Sequence, residues 1–311
     1  MSALLDVILP VFLVIGAGWI AARVGRLTPE GVDLLMRFAQ NIAVPMLLAL
    51  SIGRLDLGAS YDAGLFLSFY IGAFVAFGLG VLGASLLGRG PEDAVAIGFA
   101  AMFSNSLLLG VPITERAYGS AALAGNFAII SIHSPIFYAV GIIAMELVRS
   151  RGKGLPARAL AAQVGRAIAL QPMVQGIALG LVLNLSGLPV PGFIWDAMKI
   201  VAGAAIPCAL FGLGGVLLRY KPEGDGRAIA LVVALSLLVH PVITWVLGTR
   251  VFGLDTAALR SAVLTGAMAP GVNAYLFANT YGIAKRVNAS AVLIATLLSI
   301  GSIWVWLHIL P

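Results

Sequence analysis

Apolar runs of about twenty residues follow one another along almost the whole chain, each ended by a short cluster of glycine, proline or charge. A helix needs roughly 20 apolar residues to cross a hydrocarbon core about 30 Å thick. The punctuation predicts ten such spans, at 4–22, 34–53, 61–88, 92–116, 122–148, 168–187, 194–218, 228–252, 259–281 and 289–310. Turn signals between them include Arg26-Leu-Thr-Pro-Glu30, Gly88-Arg-Gly-Pro91 and Lys285-Arg286. The pattern therefore predicts one all-α membrane domain over 1–311, with a first half at 1–150, a second at 163–311 and a short basic connector at 149–166.

Composition agrees and removes other classes. Hydrophobic residues make up 60% of the chain and charged ones only 10%, against roughly 25% charged in soluble domains. Mean hydropathy is +1.03. A net charge of +6 would suit nucleic acid, but the cations lie in short loops, so no nucleic-acid partner is expected and the bilayer is the partner. A single cysteine, Cys208, excludes an internal disulfide and a cysteine-based metal site. The start, Met-Ser-Ala-Leu-Leu-Asp6, carries no cation before Arg23, so 4–22 reads as a retained span and not a cleaved signal.

Threading ten spans sorts the charges. Fourteen of the 19 Lys and Arg residues fall on the side of the 1–2, 3–4, 5–6, 7–8 and 9–10 loops, among them Arg149, Arg151, Lys153, Arg219 and Arg286. The positive-inside rule places that side in the cytoplasm and both termini outside. Trp195, Trp304 and Trp306 fall near span ends, as interfacial anchors do.

The halves resemble each other. Ala43-Val44-Pro45 in the second span recurs as Ala205-Ile206-Pro207 in the seventh, 162 positions on, and Arg37 pairs with Lys199 at that same offset. Ala101-Met102 recurs as Ala267-Met268, and Tyr118-Gly119 as Tyr281-Gly282. Five spans per repeat is odd, so the second copy enters the membrane inverted, an arrangement typical of secondary transporters.

The fourth and ninth spans hold the residues least suited to hydrocarbon. The fourth contains Asn105, Ser106, Gly110, Val111 and Pro112; the ninth contains Pro270, Gly271 and Asn273. Proline lacks a donor and clashes with the preceding turn, so each helix is expected to unwind at its proline. Freed backbone groups and amides must then face protein or a wet cavity. Asn105 lies eleven residues past Ala94 and Asn273 eleven past Ala262, about 16 Å at 1.5 Å per residue and so near mid-membrane. Two half-helix N-termini converging there would carry positive partial charge and free N–H donors, which suits an anion, above all a carboxylate. These eight residues are the expected substrate contacts, with no metal.

These motifs carry a resemblance. Asn105-x-x-x-x-Gly110-Val111-Pro112, Pro270-x-x-Asn273 with Phe277-Ala278, and His240-Pro241 are similar to the auxin efflux carrier family, specifically its bacterial organic-acid or malonate-type permeases. The resemblance covers essentially the whole chain. It implies a ten-helix inverted-repeat fold with crossed, broken fourth and ninth helices, like that of bile acid symporters and sodium/proton antiporters. It further implies elevator-type transport of small organic anions, dicarboxylates or auxin-like weak acids, across the bacterial inner membrane, and a homodimer as in plant members. Ala274 stands where plant carriers tend to have proline, and the connector is short.

Coupling stays open between H⁺, Na⁺ and membrane potential, and no cofactor is expected. Asp6, Asp33, Glu115, Glu146 and Asp196 all fall toward span ends, against a mid-membrane carboxylate relay. His133 and His240 are candidates for proton or substrate contact, weighed against core histidines bonded to nearby backbone. A sodium-coupled symporter of the bile acid type is the alternative. An enzyme would need paired acids or a metal cluster that this sequence lacks.

Overall fold

The computed structural model describes residues 3–150 and 156–311; residues 151–155 of the basic connector, Arg151 and Lys153 among them, lie outside the described residues. The described chain is helical, without strands. In order, the helices are α1 (Leu4–Arg23), α2 (Pro29–Gly53), α3 (Ala63–Leu86), α4 (Pro91–Met102), α5 (106–118), α6 (Ser120–Ser150), α7 (Ala157–Ala169), α8 (Pro172–Ser186), α9 (Gly192–Arg219), α10 (Gly226–Val251), α11 (Thr256–Gly266), α12 (Val272–Tyr281) and α13 (Lys285–Ile309). Seven of these, α1, α2, α3, α6, α9, α10 and α13, are long and apolar enough to cross a membrane singly.

The sixth predicted span, 168–187, lies within a few residues of α8. The connector before it is largely helical, since α7 occupies 157–169, and α7 meets α8 at a bend of 78°. Taken together α7 and α8 would make an eighth crossing. Pro172 explains the bend. Proline disfavours helical geometry in the residue before it, and Gln171 is extended (φ −74°, ψ 120°). None of the residues of α7 is buried, and it carries Arg158 and Arg166.

Most intrahelical prolines are accommodated without a break. Wide π-type turns at Ala3–Ile8, Ala39–Ala43, Ser106–Gly110 and Leu235–Val239 each end two residues before a proline, at Pro10, Pro45, Pro112 and Pro241. Widening the turn moves the carbonyl that the ring would strike and makes the missing N–H harmless. The fourth span is therefore not broken at Pro112. It opens eight residues earlier, at 103–105, while the ninth opens at 267–271 around Pro270 as expected.

Two helix crossings are held by glycine. A Cβ on Gly18 of α1 would run into the Phe211 carbonyl of α9, and one on Gly180 of α8 would lie 3.0 Å from the Ala49 carbonyl of α2. Without a Cβ these backbones approach closely, which is how membrane helices gain packing contact where lipid offers no hydrophobic drive. At one end of the bundle Arg54 stacks on Trp195, 4.6 Å from the ring centre.

Candidate functional site

The two helix breaks meet. Ser104 and Pro270 form an isolated antiparallel bridge. Asn105 N–H donates to the Ala269 carbonyl (2.8 Å), and Gly271 N–H donates to the Phe103 carbonyl (2.9 Å). The unwound segments thus satisfy each other's backbone, as buried polar groups must. The exchange relates Asn105 to Gly271, so the two asparagines are not equivalent positions as the spacing suggested. Asn105 precedes α5, whereas Asn273 sits at the second position of α12.

A cavity of about 510 Å³ lies against this crossing. Both half-helix starts line it, through Ser106–Leu108 of α5 and Val272 and Asn273 of α12. The first N–H groups of a helix have no partner inside it, so both ends present donors and partial positive charge. The side-chain amides of Asn105 and Asn273 line the cavity and bond to no protein group among the described residues. Gly271 lines it as well, with no side chain to narrow it.

Ser106 and His133 form the rest of the polar floor. Ser106 Oγ is 2.9 Å from Ser104 Oγ and 3.5 Å from His133 Nδ1. The His133 ring lies among Phe69, Phe103 and Phe137, with centroids at 5.7, 4.9 and 4.4 Å, and its Nε2 has no partner. His133 is thus almost wholly buried yet placed at the cavity wall. His240 is the opposite case. It is fully buried, off the cavity, with Nε2 3.3 Å from the Phe69 carbonyl oxygen.

Four other expected contacts stand back from the cavity. Gly110 packs beside Met268, Val111 joins an aliphatic cluster, Pro112 lies buried one position further along α5, and Pro270 is used in the bridge. Their role is to shape the half-helices. Residues that sequence reasoning missed supply further amides: Gln40 and Asn41 from α2, Gln163 from α7 and Gln171 ahead of α8. The adjacent amides Gln40-Asn41 inside an otherwise apolar span were the available signal. Among the described residues no Lys, Arg, Asp or Glu lines the cavity.

Access is one-sided. From the crossing the cavity runs along α12 to Thr280 and Tyr281 and out past Gln163 and Gln171. On the other side of the breaks Leu107, Leu108 and Val111 pack with Leu48, Ile52 and Ala209. Near the mouth Arg149 donates to Glu92 (3.0 Å) and to the Tyr281 carbonyl (2.9 Å), tying α6 to the start of α4 and the end of α12.

Two buried asparagines clamp the crossing. Asn126 Nδ2 reaches Thr114 Oγ1 of α5 (3.2 Å) and Thr265 Oγ1 of α11 (3.0 Å). Asn288 Nδ2 reaches the carbonyls of Ala96 in α4 (3.0 Å) and Ala274 in α12 (3.1 Å). Each joins one half of one broken helix to one half of the other.

A polar crossing of two broken helices, inside a shell of membrane-length ones, matches a known family over nearly its whole length. The model of the Membrane transport protein family covers residues 3–307. The chain belongs to this family, that of the auxin efflux carriers. As a member it is a multi-span membrane transporter and not an enzyme. It is 24% identical over 304 residues to the "Putative malonate transporter" of Rhizobium meliloti, covering 97% of this chain and 94% of that one. An "Uncharacterized transporter" of Methanothermobacter thermautotrophicus is 26% identical over 307 residues, 97% of this chain and 96% of its own. The "Probable auxin efflux carrier component 5c" of rice, Oryza sativa subsp. japonica, is 24% identical over 277 residues, 74% of each chain.

Proposed function

We propose that this family member is a secondary transporter that moves small organic anions across the bacterial inner membrane by alternating access. The observation that carries the reading is the cavity at the crossing, open on one side, where two half-helix N-termini and two unbonded asparagine amides converge without a fixed charge. Such a site neutralises a carboxylate with dipoles and N–H donors. The apolar wall of Phe103, Tyr138 and Phe277 accommodates the hydrocarbon part of such an anion. Both dicarboxylates and auxin-like weak acids fall within the class.

Ten crossings as two inverted repeats is the architecture we infer, with α4–α5 and α11–α12 each counted as one broken crossing and α7 lying outside the count. Several relations support it. The Gly18–Phe211 contact maps onto Gly180–Ala49 when positions 162 apart are exchanged, as Pro45 maps onto Pro207 and Asn126 onto Asn288. In this reading α1, α2, α8 and α9 are the scaffold, and the crossing moves against it as an elevator. The aliphatic seam of Leu48, Ile52 and Ala209 against Leu107, Leu108 and Val111 suits sliding, because it holds no directional bond. With the positive-inside orientation, both termini are outside and the cavity faces the cytoplasm.

The test is uptake and counterflow in proteoliposomes, joined to a thermal-shift screen with malonate, malate, lactate, indole-3-acetate and taurocholate, each with and without sodium. Saturable counterflow of at least one anion without sodium is expected. Uptake that requires a sodium gradient would select symport of the bile acid type. Non-saturable flux, or no anion stabilising the protein, would overturn the reading.

A further inference from the structure

A second cavity, of about 600 Å³, lies on the outer face between α10 and α13, away from the crossing. Its walls are Ile229, Val233 and Leu237 of α10 and Ile294 and Leu298 of α13. One end is the loop at Gly224 and Gly226, where both helices begin; the other reaches Ser302. Along α10 the lining runs from Gly226 to Leu238, about 18 Å at 1.5 Å per residue and so somewhat more than the roughly 15 Å of one leaflet's hydrocarbon. Leu238 and Leu298 beside it are more than half exposed. An open apolar channel of this length on two membrane-crossing helices is shaped for a chain that runs along them.

Its upper end is basic. Lys221, Arg227, Lys285 and Arg286 surround the loop, opposed by Glu223 and Asp225. Asp225 is engaged as the cap of α10, where its Oδ1 accepts from Arg227 N–H (3.0 Å). Glu223 reaches Arg286 only at 3.9 Å, with the arginine 79% exposed. Asp93, which accepts from Ala284 N–H at the start of α13, is paired with Arg89. Among the described residues Lys221, Arg227 and Lys285 have no carboxylate within ion-pair distance. α13 opens with two cations and no acid of its own in its first turn; Asp93 supplies one anion at Ala284 N–H, and the Lys285 and Arg286 side chains add positive charge beside it.

We propose that this groove binds an anionic phospholipid, one acyl chain lying between α10 and α13 and the phosphate sitting among Arg227, Lys285 and Arg286. The apolar walls fix the chain, and the exposed cations of the loop select the headgroup. Basic pockets between membrane helices recognise anionic lipids in this way, each cation contributing about fivefold in affinity near a membrane surface. The site is separate from the transport cavity and does not depend on what that cavity carries.

The experiment titrates full-length protein in detergent with palmitoyl-oleoyl phosphatidylglycerol or phosphatidylcholine of the same chains, read by native mass spectrometry and melting temperature. The expected result is one phosphatidylglycerol bound about tenfold or more tightly than phosphatidylcholine. Arg227→Ala and Arg286→Ala should each weaken it about fivefold, and Ala234→Trp, which fills the groove, should abolish it. Glycerophosphoglycerol, the headgroup without chains, should give no shift. Equal binding of the two lipids overturns the proposal, as does phosphatidylglycerol binding unchanged by all three substitutions. So does a dimer that covers the groove and excludes lipid. If a variant fails to fold, the ratio between the two lipids on the unaltered protein still decides.

Discussion

Asn126 and Asn288 stand 162 positions apart and hold the crossing from its two ends, Asn126 through Thr114 and Thr265, Asn288 through the carbonyls of Ala96 and Ala274. The four half-helices are too short to be stable alone, and isolated helices under about 12–15 residues are marginal. Their relative placement rests on packing, with Phe99 of α4 stacked on Phe277 of α12 (4.0 Å between centroids), together with the bridge at Ser104–Pro270 and these two amides. Bonds at both ends of the crossing hold the half-helices in place around the central cavity.

Asn288→Ala should accordingly lower stability more than ligand affinity. It leaves two buried carbonyl oxygens without that donor, a loss of about 1–3 kcal/mol. At about 2–4 °C per kcal/mol for chains of this order of size, the melting temperature should fall by several degrees. Affinity of the remaining folded protein should stay within about threefold. A variant as stable as the parent would mean that Asn288 is not a clamp.

Asn105→Ala and Asn273→Ala should behave the other way. Neither amide bonds to the protein, so removing it orphans nothing and the melting temperature should move little. A hydrogen bond to a charged group is worth about 1.5–3 kcal/mol, so the affinity for the transported anion should drop roughly 10- to 100-fold. Thermal-shift titration separates the two quantities. Unchanged affinity in both variants would remove the asparagines from the binding site.

The two crossover prolines should also part company. Pro112 follows a wide turn that already accommodates its ring, so Pro112→Ala should leave uptake near the parent level. Pro270 sits in the break and bridges to Ser104. An alanine there restores a donor and helical freedom, and Pro270→Ala should cut uptake severalfold at equal expression. Equal effects from the two would show that position relative to the break does not matter.

Much of this was legible in the chain because hydrocarbon imposes a length on apolar runs. The spans at 4–22, 61–88 and 289–310 lie within a few residues of α1, α3 and α13. The crossing was legible in part, since Asn105 and Asn273 each stand near a proline and small residues amid an otherwise apolar span. What hydropathy could not show was where backbone partners lie. Pro112 looked like the break because a proline's cost is local, whereas the opening at 103–105 is fixed by bonds to Ala269 and Gly271 in distant sequence. Likewise the connector at 149–166 gave no sign that 157–169 is helical, since that stretch is too short and too charged to read as a span. Asn126 and Asn288 share the offset of Pro45 and Pro207 and could have been found by it. The chemistry of Gln163 and Gln171 becomes visible only once α7 is placed over the cavity mouth.

The glycine crossings give a test of the scaffold that does not involve substrate. Gly18→Leu should prevent α1 from seating on α9, because its Cβ would strike the Phe211 backbone, and the protein should be recovered poorly or aggregated. Gly78, in α3, has nothing near the position of a Cβ, and Gly78→Ala should be neutral or slightly stabilising through helix propensity. Size-exclusion profiles of the two variants make the comparison. A well-behaved Gly18→Leu protein would mean that the α1–α9 contact is not structurally required.

One-sided access predicts a labelling pattern. With Cys208 replaced by serine, single cysteines at Thr280 and Gln163 lie on the open path from the cavity, while one at Leu108 has its inner edge on the cavity and its outer side against Leu48 and Ile52. In inside-out vesicles a membrane-impermeant maleimide should modify Thr280→Cys and Gln163→Cys quickly and Leu108→Cys slowly. In right-side-out vesicles all three should resist. A saturating transported anion should slow Leu108→Cys further, because the ligand would stand between the reagent and the crossing. Rapid labelling of Thr280→Cys from the outside would reverse the orientation assigned by the Lys and Arg distribution. Equal labelling from both sides would describe a pore, and alternating access would have to be abandoned.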